Sequence, residues 1–413
     1  MRAVPAYRAA GRLLVQEGAV VGSDIVGELA AALGCGGAAV TRVDRDHHRL
    51  TVPVGPGDQL TVDVLGDPRT ADRVVHLLPG GGLNVAANYC TAQGRSLARF
   101  LADHGCLVLG TTPREDALTP DRIGPRCADW GLDGQQADLE RVVAAAGSVT
   151  GLPYELLGHS AGAALALATA ARIGGEGPRR VLVLDTTGPY DPQRDPELLS
   201  RAEELHQLLE QRLAAGEWTV DPGLKGLFAR AAAAPDAPSG LPRPVDGGAP
   251  FSNLGLLHYA LIRTRDLPGP TNWIHHRGHS AGSYTFGAAP ADDRFTLAHS
   301  PLPVWQQAVA RLGSGLQPTA LLRDLAALWA GRAGPDLLDR AAIRAEVVWL
   351  NAEFGRGDHD LGARLIARGG AEVDYRVVPD YGHGDMVWSA TAERDVWGLL
   401  LPLPRPGRPA AGR

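Results

Sequence analysis

The spacing of apolar and polar positions changes several times along the chain, and each change marks an element. Ahead of Arg49 the spacing is helical: Ser23 is placed to cap a segment through Ile25, Leu29 and Leu33, and Gly34 to end it. From Arg49 the period drops to two. Leu50-Thr51-Val52-Pro53-Val54 and Gln59-Leu60-Thr61-Val62-Asp63-Val64 read as antiparallel strands joined through Gly55 to Asp58. Residues 74–78 are apolar with little interruption, as in a parallel strand buried on both faces, and they run into Pro79-Gly80-Gly81-Gly82-Leu83-Asn84. Helical and strand-like spacing then alternates: helix over 96–104, strand over 106–110, helix over 137–146, strand and helix within 154–173, strand over 180–184. That alternation implies a mostly parallel sheet with helices on both faces, and functional residues at the carboxyl ends of its strands.

Between about 190 and 340 the alternation stops. Asp195 and Pro196 open a helix through Leu198, Leu205, Leu208 and Leu209, a Gly/Pro-rich stretch covers 235–250, and further helices are expected over 303–312 and 318–332. This reads as a helical cap inserted into the core. The core resumes with a strand over 345–350, a helix over 360–368 and a last strand over 373–378. The expected division is an N-terminal helical extension (1–45) acting as a packing or dimer arm, a first part of the core (46–190), the cap (191–341), a second part of the core (342–402) and a Pro/Arg-rich flexible tail (403–413).

The densest signal runs from Tyr154 to Ile173, YELLGHSAGAALALATAARI. A short apolar run, Leu156 and Leu157, meets Gly158-His159-Ser160-Ala161-Gly162, and an unbroken Ala/Leu segment follows: a strand, a sharp turn and a helix. A serine in the middle of such a turn is pushed out on a strained backbone. Small residues two places to either side are needed, because side chains there would strike the neighbouring strand and helix. Ser160 is therefore the candidate nucleophile. The same five letters recur as Gly278-His279-Ser280-Ala281-Gly282. No apolar strand precedes that copy and no helical period follows it, so it reads as a loop without a nucleophilic role.

Composition narrows the remaining choices. A hydrophobic content of 45% with 21% charged residues is that of a globular chain with a substantial core. A net charge of −6 without a basic stripe gives no footing for a nucleic-acid partner. The longest apolar run near the start, Leu13-Leu14-Val15, is too short for a signal core or a membrane span, so no membrane partner is expected. Cys35, Cys90, Cys106 and Cys127 lack CxxC spacing, which favours reduced thiols and a cytoplasmic location.

A serine hydroxyl is a poor nucleophile at neutral pH and needs a base held by a carboxylate. His383, in Pro379-Asp380-Tyr381-Gly382-His383-Gly384-Asp385 just after the last strand, is the candidate base. The acid stays open. Asp185 ends the strand after the elbow helix, while Glu353 and Asp358 lie in the loop after the next core strand. Negative charge built on a carbonyl oxygen must meet fixed N–H donors, for which Ala161 and either Gly81 or Gly82 are placed. The clusters Asp44-Arg45-Asp46-His47-His48 and His275, His276, His279 have no supporting ligand spacing and read as solvated loops, so no metal and no cofactor is expected. Trp273, Tyr259, Tyr284 and Trp305 read chiefly as packing residues of the cap.

The elbow, the glycine-rich segment and the late histidine, in this order, resemble the α/β-hydrolase superfamily over residues 50–190 and 342–402. Val183-Leu184-Asp185-Thr186-Thr187-Gly188-Pro189 looks like the acid-bearing phrase of polyketide and nonribosomal-peptide thioesterases, and Gly80-Gly81-Gly82 resembles the HGGG-type segment of esterases with Pro79 in place of the histidine. The resemblance implies an α/β-hydrolase fold and an esterase- or thioesterase-like enzyme using Ser160, His383 and one of the three carboxylates. Its substrate would be a small-molecule hydrophobic acyl compound, possible in specialised metabolism, and a homodimer is a possible assembly. Two other readings keep the scaffold: a lyase or cyclase working without covalent acylation, and a non-catalytic ligand-binding protein.

Overall fold

The computed structural model describes residues 24–36, 39–91, 95–245, 248–332 and 334–402. Nine strands build one sheet: β1 (Val40–Asp44), β2 (His47–Gly55), β3 (Asp58–Leu65), β4 (Arg73–Leu78), β5 (Cys106–Thr112), β6 (Tyr154–His159), β7 (Arg180–Leu184), β8 (Glu346–Ala352) and β9 (Val373–Val378). Their spatial order is β1-β2-β3-β5-β4-β6-β7-β8-β9. The pairs from β1 to β5 are antiparallel, and every pair from β5 to β9 is parallel.

The parallel strands read as apolar runs because both of their faces are covered. Leu156, Val181, Val183, Val347 and Trp349 face one hydrophobic core, and their neighbours Leu157, Leu182, Leu184, Val348 and Leu350 face the other. The period of two along each strand thus divides one sheet between two cores. The long helices Leu132–Thr150 and Ala161–Ile173 pack against each other, and the latter lies against β6 and β7.

The amino-terminal region differs from expectation. A helix at Ile25–Ala32 is present, but Asp24 caps it, its carboxylate accepting the Gly27 N–H at 3.1 Å; Ser23 lies outside the described residues. Gly34 ends the helix at φ +74°, where a residue without Cβ is favoured. Residues 40–44 are not helical: they form the edge strand β1, paired antiparallel with β2. Its outward side chains are exposed, so the short run carries too little apolar alternation to announce itself. Leu29 and Leu33 are fully buried in a core shared with β2 and β3, making the described part of this extension a piece of the core. The predicted tail, 403–413, lies outside the described residues.

The region between β7 and β8 is mixed. It holds helices at Pro196–Ala214, Leu224–Ala233, Asn253–Ile262, Leu302–Ala310 and Thr319–Trp329, together with three two-stranded ribbons. The ribbons are short stretches such as Gly282–Thr285 against Arg294–Leu297, which have no run long enough to show a strand period. Thr319–Trp329 and Pro196–Ala214 pack together over the core helix Ala161–Ile173, so the insertion roofs the carboxyl edge of the sheet.

Two glycines fix the elbow. A Cβ on Gly158 would meet Gly162 O at 2.1 Å, and one on Gly162 would meet Leu78 O at 2.1 Å. Gly162→Ala is therefore expected to destabilise the protein by roughly 1–3 kcal/mol, seen as a lower urea midpoint with an unchanged slope. A variant within about 0.5 kcal/mol of wild type would contradict this close approach.

Candidate active site

The carboxyl ends of β4, β6, β7, β8 and β9 bring the predicted residues to one cavity. Ser160 sits between β6 and its helix at φ +58°, ψ −118°, a region costly for any residue with a Cβ. Its N–H donates to Leu184 O of the neighbouring strand at 2.9 Å, which holds the strained turn in place.

Of the three candidate carboxylates, Asp185 is the one bonded to His383: Oδ2 accepts from Nδ1 at 2.5 Å. Oδ1 accepts the Ala352 N–H at 2.7 Å, from the last residue of β8, and the Arg356 N–H at 3.1 Å, from the loop after it. Glu353 instead accepts the Asp380 N–H at 2.8 Å, and Asp358 is exposed, 3.8 Å from Arg194. Burial pushes the Asp185 carboxyl up to about 6, against the opposing pull of the Arg356 charge and its backbone N–H donors. The His383 imidazole is held well below its ordinary value by burial, then by the rings of His159, the Arg356 charge, His275 and His279. Above about pH 6 the pair therefore rests as carboxylate and neutral imidazole.

His159, inside the elbow motif, joins the two halves of the site. Its Nε2 lies 3.1 Å from the His383 carbonyl, which can only accept, so that nitrogen carries the proton. Its Nδ1 then accepts from the Asn88 amide at 3.3 Å, and Asn88 Oδ1 accepts the Gly80 N–H at 2.8 Å. The glycine-rich segment and the histidine loop are thereby tied through one ring. The second GHSAG copy seats that same loop. His383 N–H donates to Gly278 O at 3.2 Å and Gly384 N–H to His279 O at 2.7 Å, while Asp385 accepts from Ala281 N–H at 2.7 Å, Gly382 N–H at 2.9 Å and Ser300 Oγ at 2.6 Å. Ser280 itself is buried and accepts from Trp305 Nε1 at 3.0 Å.

Among the described residues the Ser160 hydroxyl is bonded to Arg356 Nη2, at 3.3 Å, and not to His383, although both side chains line the same cavity. Such bonds commonly close only around a substrate. Gly81 lies beside Ala161: a Cβ there would be 3.6 Å from Ala161 Cβ. The N–H groups of Gly81, Gly82 and Ala161 donate to no acceptor among the described residues, whereas that of Gly80 is taken by Asn88. Leu83, Ile274, Trp305, Leu322, Leu325 and Trp329 give the rest of the cavity an apolar wall.

The Thioesterase domain family matches residues 144–284, a segment holding the elbow, β7 and part of the cap. Among solved structures, a candidate lipase from Sulfolobus solfataricus is similar over 87% of this chain and 96% of its own, with 16% identity and a TM-score of 0.57. The chain has the α/β-hydrolase fold. A carboxyl esterase from Bacillus coagulans (14% identity, 81% of this chain and 91% of that one, TM-score 0.47) and the thioesterase domain from the curacin biosynthetic pathway (12%, 86% and 99%, 0.43) are more distant. No curated protein matches the chain.

Several residues of the site escape sequence reasoning. His275 and His279 are not solvated: His275 is buried, both line the cavity, and their rings lie 4.4 Å apart beside His383. The cap folds them inward through backbone bonds between Arg277, Gly278 and Phe354. His47 is likewise buried, 2.7 Å from Asp63. No grouping of His, Cys, Asp or Glu fit for a metal occurs among the described residues. Arg356 was visible only as one letter in the loop Asn351 to Asp358, searched for carboxylates. Of the four aromatics assigned to packing, Trp305 lines the cavity, while Tyr259 and Tyr284 pack with Phe251 and Phe286.

The hydrogen bond between His383 and Asp185 should give a far-downfield imidazole N–H proton resonance. As pH falls through about 6 the carboxylate takes up a proton and stops accepting, so the resonance should fade, and Asp185→Asn should lack it. A resonance that persists unchanged a full unit below that point would contradict the assigned pair.

Proposed function

We propose that this α/β-hydrolase cleaves an ester or thioester of a hydrophobic acyl compound through an acyl-enzyme on Ser160. The observation that carries the reading is a strained elbow serine sharing one cavity with a histidine whose Nδ1 is held by a buried carboxylate. The resting hydroxyl turns from Arg356 to His383, whose neutral Nε2 takes its proton as the bond from Oγ to the acyl carbon forms. Charge on the carbonyl oxygen meets the N–H groups of Ala161 and of Gly81 or Gly82. Collapse breaks the C–O or C–S bond, and the proton passes from His383 to the leaving alcohol or thiol. Water repeats the sequence in reverse order, its proton going to His383 and then to Ser160, which is freed.

The apolar wall contributed by the cap supports an acyl group that is largely hydrophobic. The thioesterase match across the elbow and the likeness of the Asp185 phrase to thioesterases of polyketide and peptide assembly support a thioester substrate in specialised metabolism. A fluorophosphonate should label Ser160 and leave Ser280 unlabelled, with the site read by peptide mass spectrometry. Ser160→Ala should lose the label and lower kcat by at least ~10³-fold. Retention of most turnover by that variant would sink the acyl-enzyme and favour proton-transfer chemistry by the same pocket.

A further inference from the structure

We propose that Arg356 is a substrate-carboxylate binding residue, so that the preferred acyl group carries a carboxylate within a few bonds of the scissile carbonyl, held beside Ser160. This deepens the serine-hydrolase reading and rests on it. Arg356 is only 5% exposed and lines the cavity. Nη2 reaches Ser160 Oγ at 3.3 Å, while Nη1 is buried without a hydrogen-bond partner among the described residues. A buried guanidinium normally has a carboxylate, because desolvating the charge is costly when no anion meets it.

The Asp185 carboxylate attracts the Arg356 charge but accepts no hydrogen bond from its guanidinium. It takes the Arg356 backbone N–H, and its oxygens are otherwise engaged by Ala352 and His383. The fork of Arg356 points past it, to the nucleophile. A second unpartnered polar atom lies on the same cavity: His275, also 5% exposed, keeps a buried Nδ1 with no partner among the described residues. The charged lining is otherwise Lys225 and one exposed carboxylate, Asp221. The inner end of the cavity therefore holds a buried guanidinium nitrogen without an acceptor, close to the reacting hydroxyl.

Distance sets where the anion sits on the substrate. A carboxylate oxygen about 2.8 Å from Nη1 would lie only a few ångströms beyond the carbonyl attacked by Ser160, since both nitrogens belong to one planar guanidinium. An acyl group that carries a carboxylate near its carbonyl and is otherwise hydrophobic fits that span, a short dicarboxylic half-thioester being its smallest form. A plain fatty acyl chain would leave the charge buried and unmet.

The test compares three N-acetylcysteamine thioesters: succinyl, its neutral amide succinamyl, and the apolar isostere 4-methylpentanoyl, with enzyme-free hydrolysis subtracted. Wild type should favour succinyl in kcat/KM by roughly 10- to 100-fold, mostly through KM, as for one charge-assisted hydrogen bond in a buried site. Arg356→Gln should reduce that ratio to about one or below, and Arg356→Lys should restore part of it; the ratio is insensitive to any general loss of active protein. Equal or faster wild-type turnover of the neutral thioesters would overturn the inference while leaving the hydrolase reading intact, as would an Arg356→Gln protein that keeps the preference. If the fluorophosphonate labels Ser160 but no thioester turns over, protection of Ser160 by each thioester replaces the rate, and equal protection overturns the inference. No turnover and no labelling would end both readings.

Discussion

The buried carboxylate of Asp185 is the point on which the site hangs. It follows β7 directly, accepts one backbone N–H from the end of β8 and one from the loop after it, and accepts the His383 Nδ1 proton from the loop after β9. Three chain segments far apart in sequence are thus referred to a single pair of oxygens. An ionised group at zero exposure would be strongly unfavourable alone; donors on every side are what allow it to remain a carboxylate at neutral pH. The cost of burial is still visible in its raised proton affinity. The same burial keeps the imidazole neutral and so able to act as a base.

The core was legible because its physics is local. A strand buried on both faces reads as an apolar run, and residues 180–184 and 373–378 coincide with β7 and β9. The elbow was legible because Gly158 and Gly162 are demanded by contacts near 2 Å with backbone atoms, a constraint that leaves its letters in the sequence. The edge strand β1 and the cap ribbons were not, since short, half-exposed pairings need no period of their own. The choice among Asp185, Glu353 and Asp358 was equally invisible. All three sit in loops at the right edge of the sheet, and only tertiary contact shows that Glu353 caps Asp380 while Asp185 meets the imidazole.

What the sequence hid most completely is the environment of the serine. His275 and His279 looked like polar loop residues, and become cavity lining because the second GHSAG segment docks its backbone against the His383 loop. The repeated motif thus has two physical uses in one chain. In the first copy small residues let a strand meet a helix. In the second, a Cβ on Gly278 would meet the Leu261 and Ile262 carbonyl oxygens at 2.6 Å, and the segment seats the loop that holds His383. Arg356 supplies a buried positive charge beside Ser160, and it lies in the same turn whose backbone orients Asp185.

The central claim is that Ser160, His383 and Asp185 act as one unit, although the resting hydroxyl is bonded to Arg356. A crystal structure of the phosphonylated protein tests it most directly. The account predicts phosphorus on Ser160 Oγ, a phosphonyl oxygen about 2.7–3.1 Å from the N–H of Ala161 and of Gly81 or Gly82, and the His383 ring turned to the adduct with Asp185 still on Nδ1. An adduct on another residue, or a His383 ring facing away from Ser160 with the phosphonyl oxygen outside the glycine-rich segment, would contradict it.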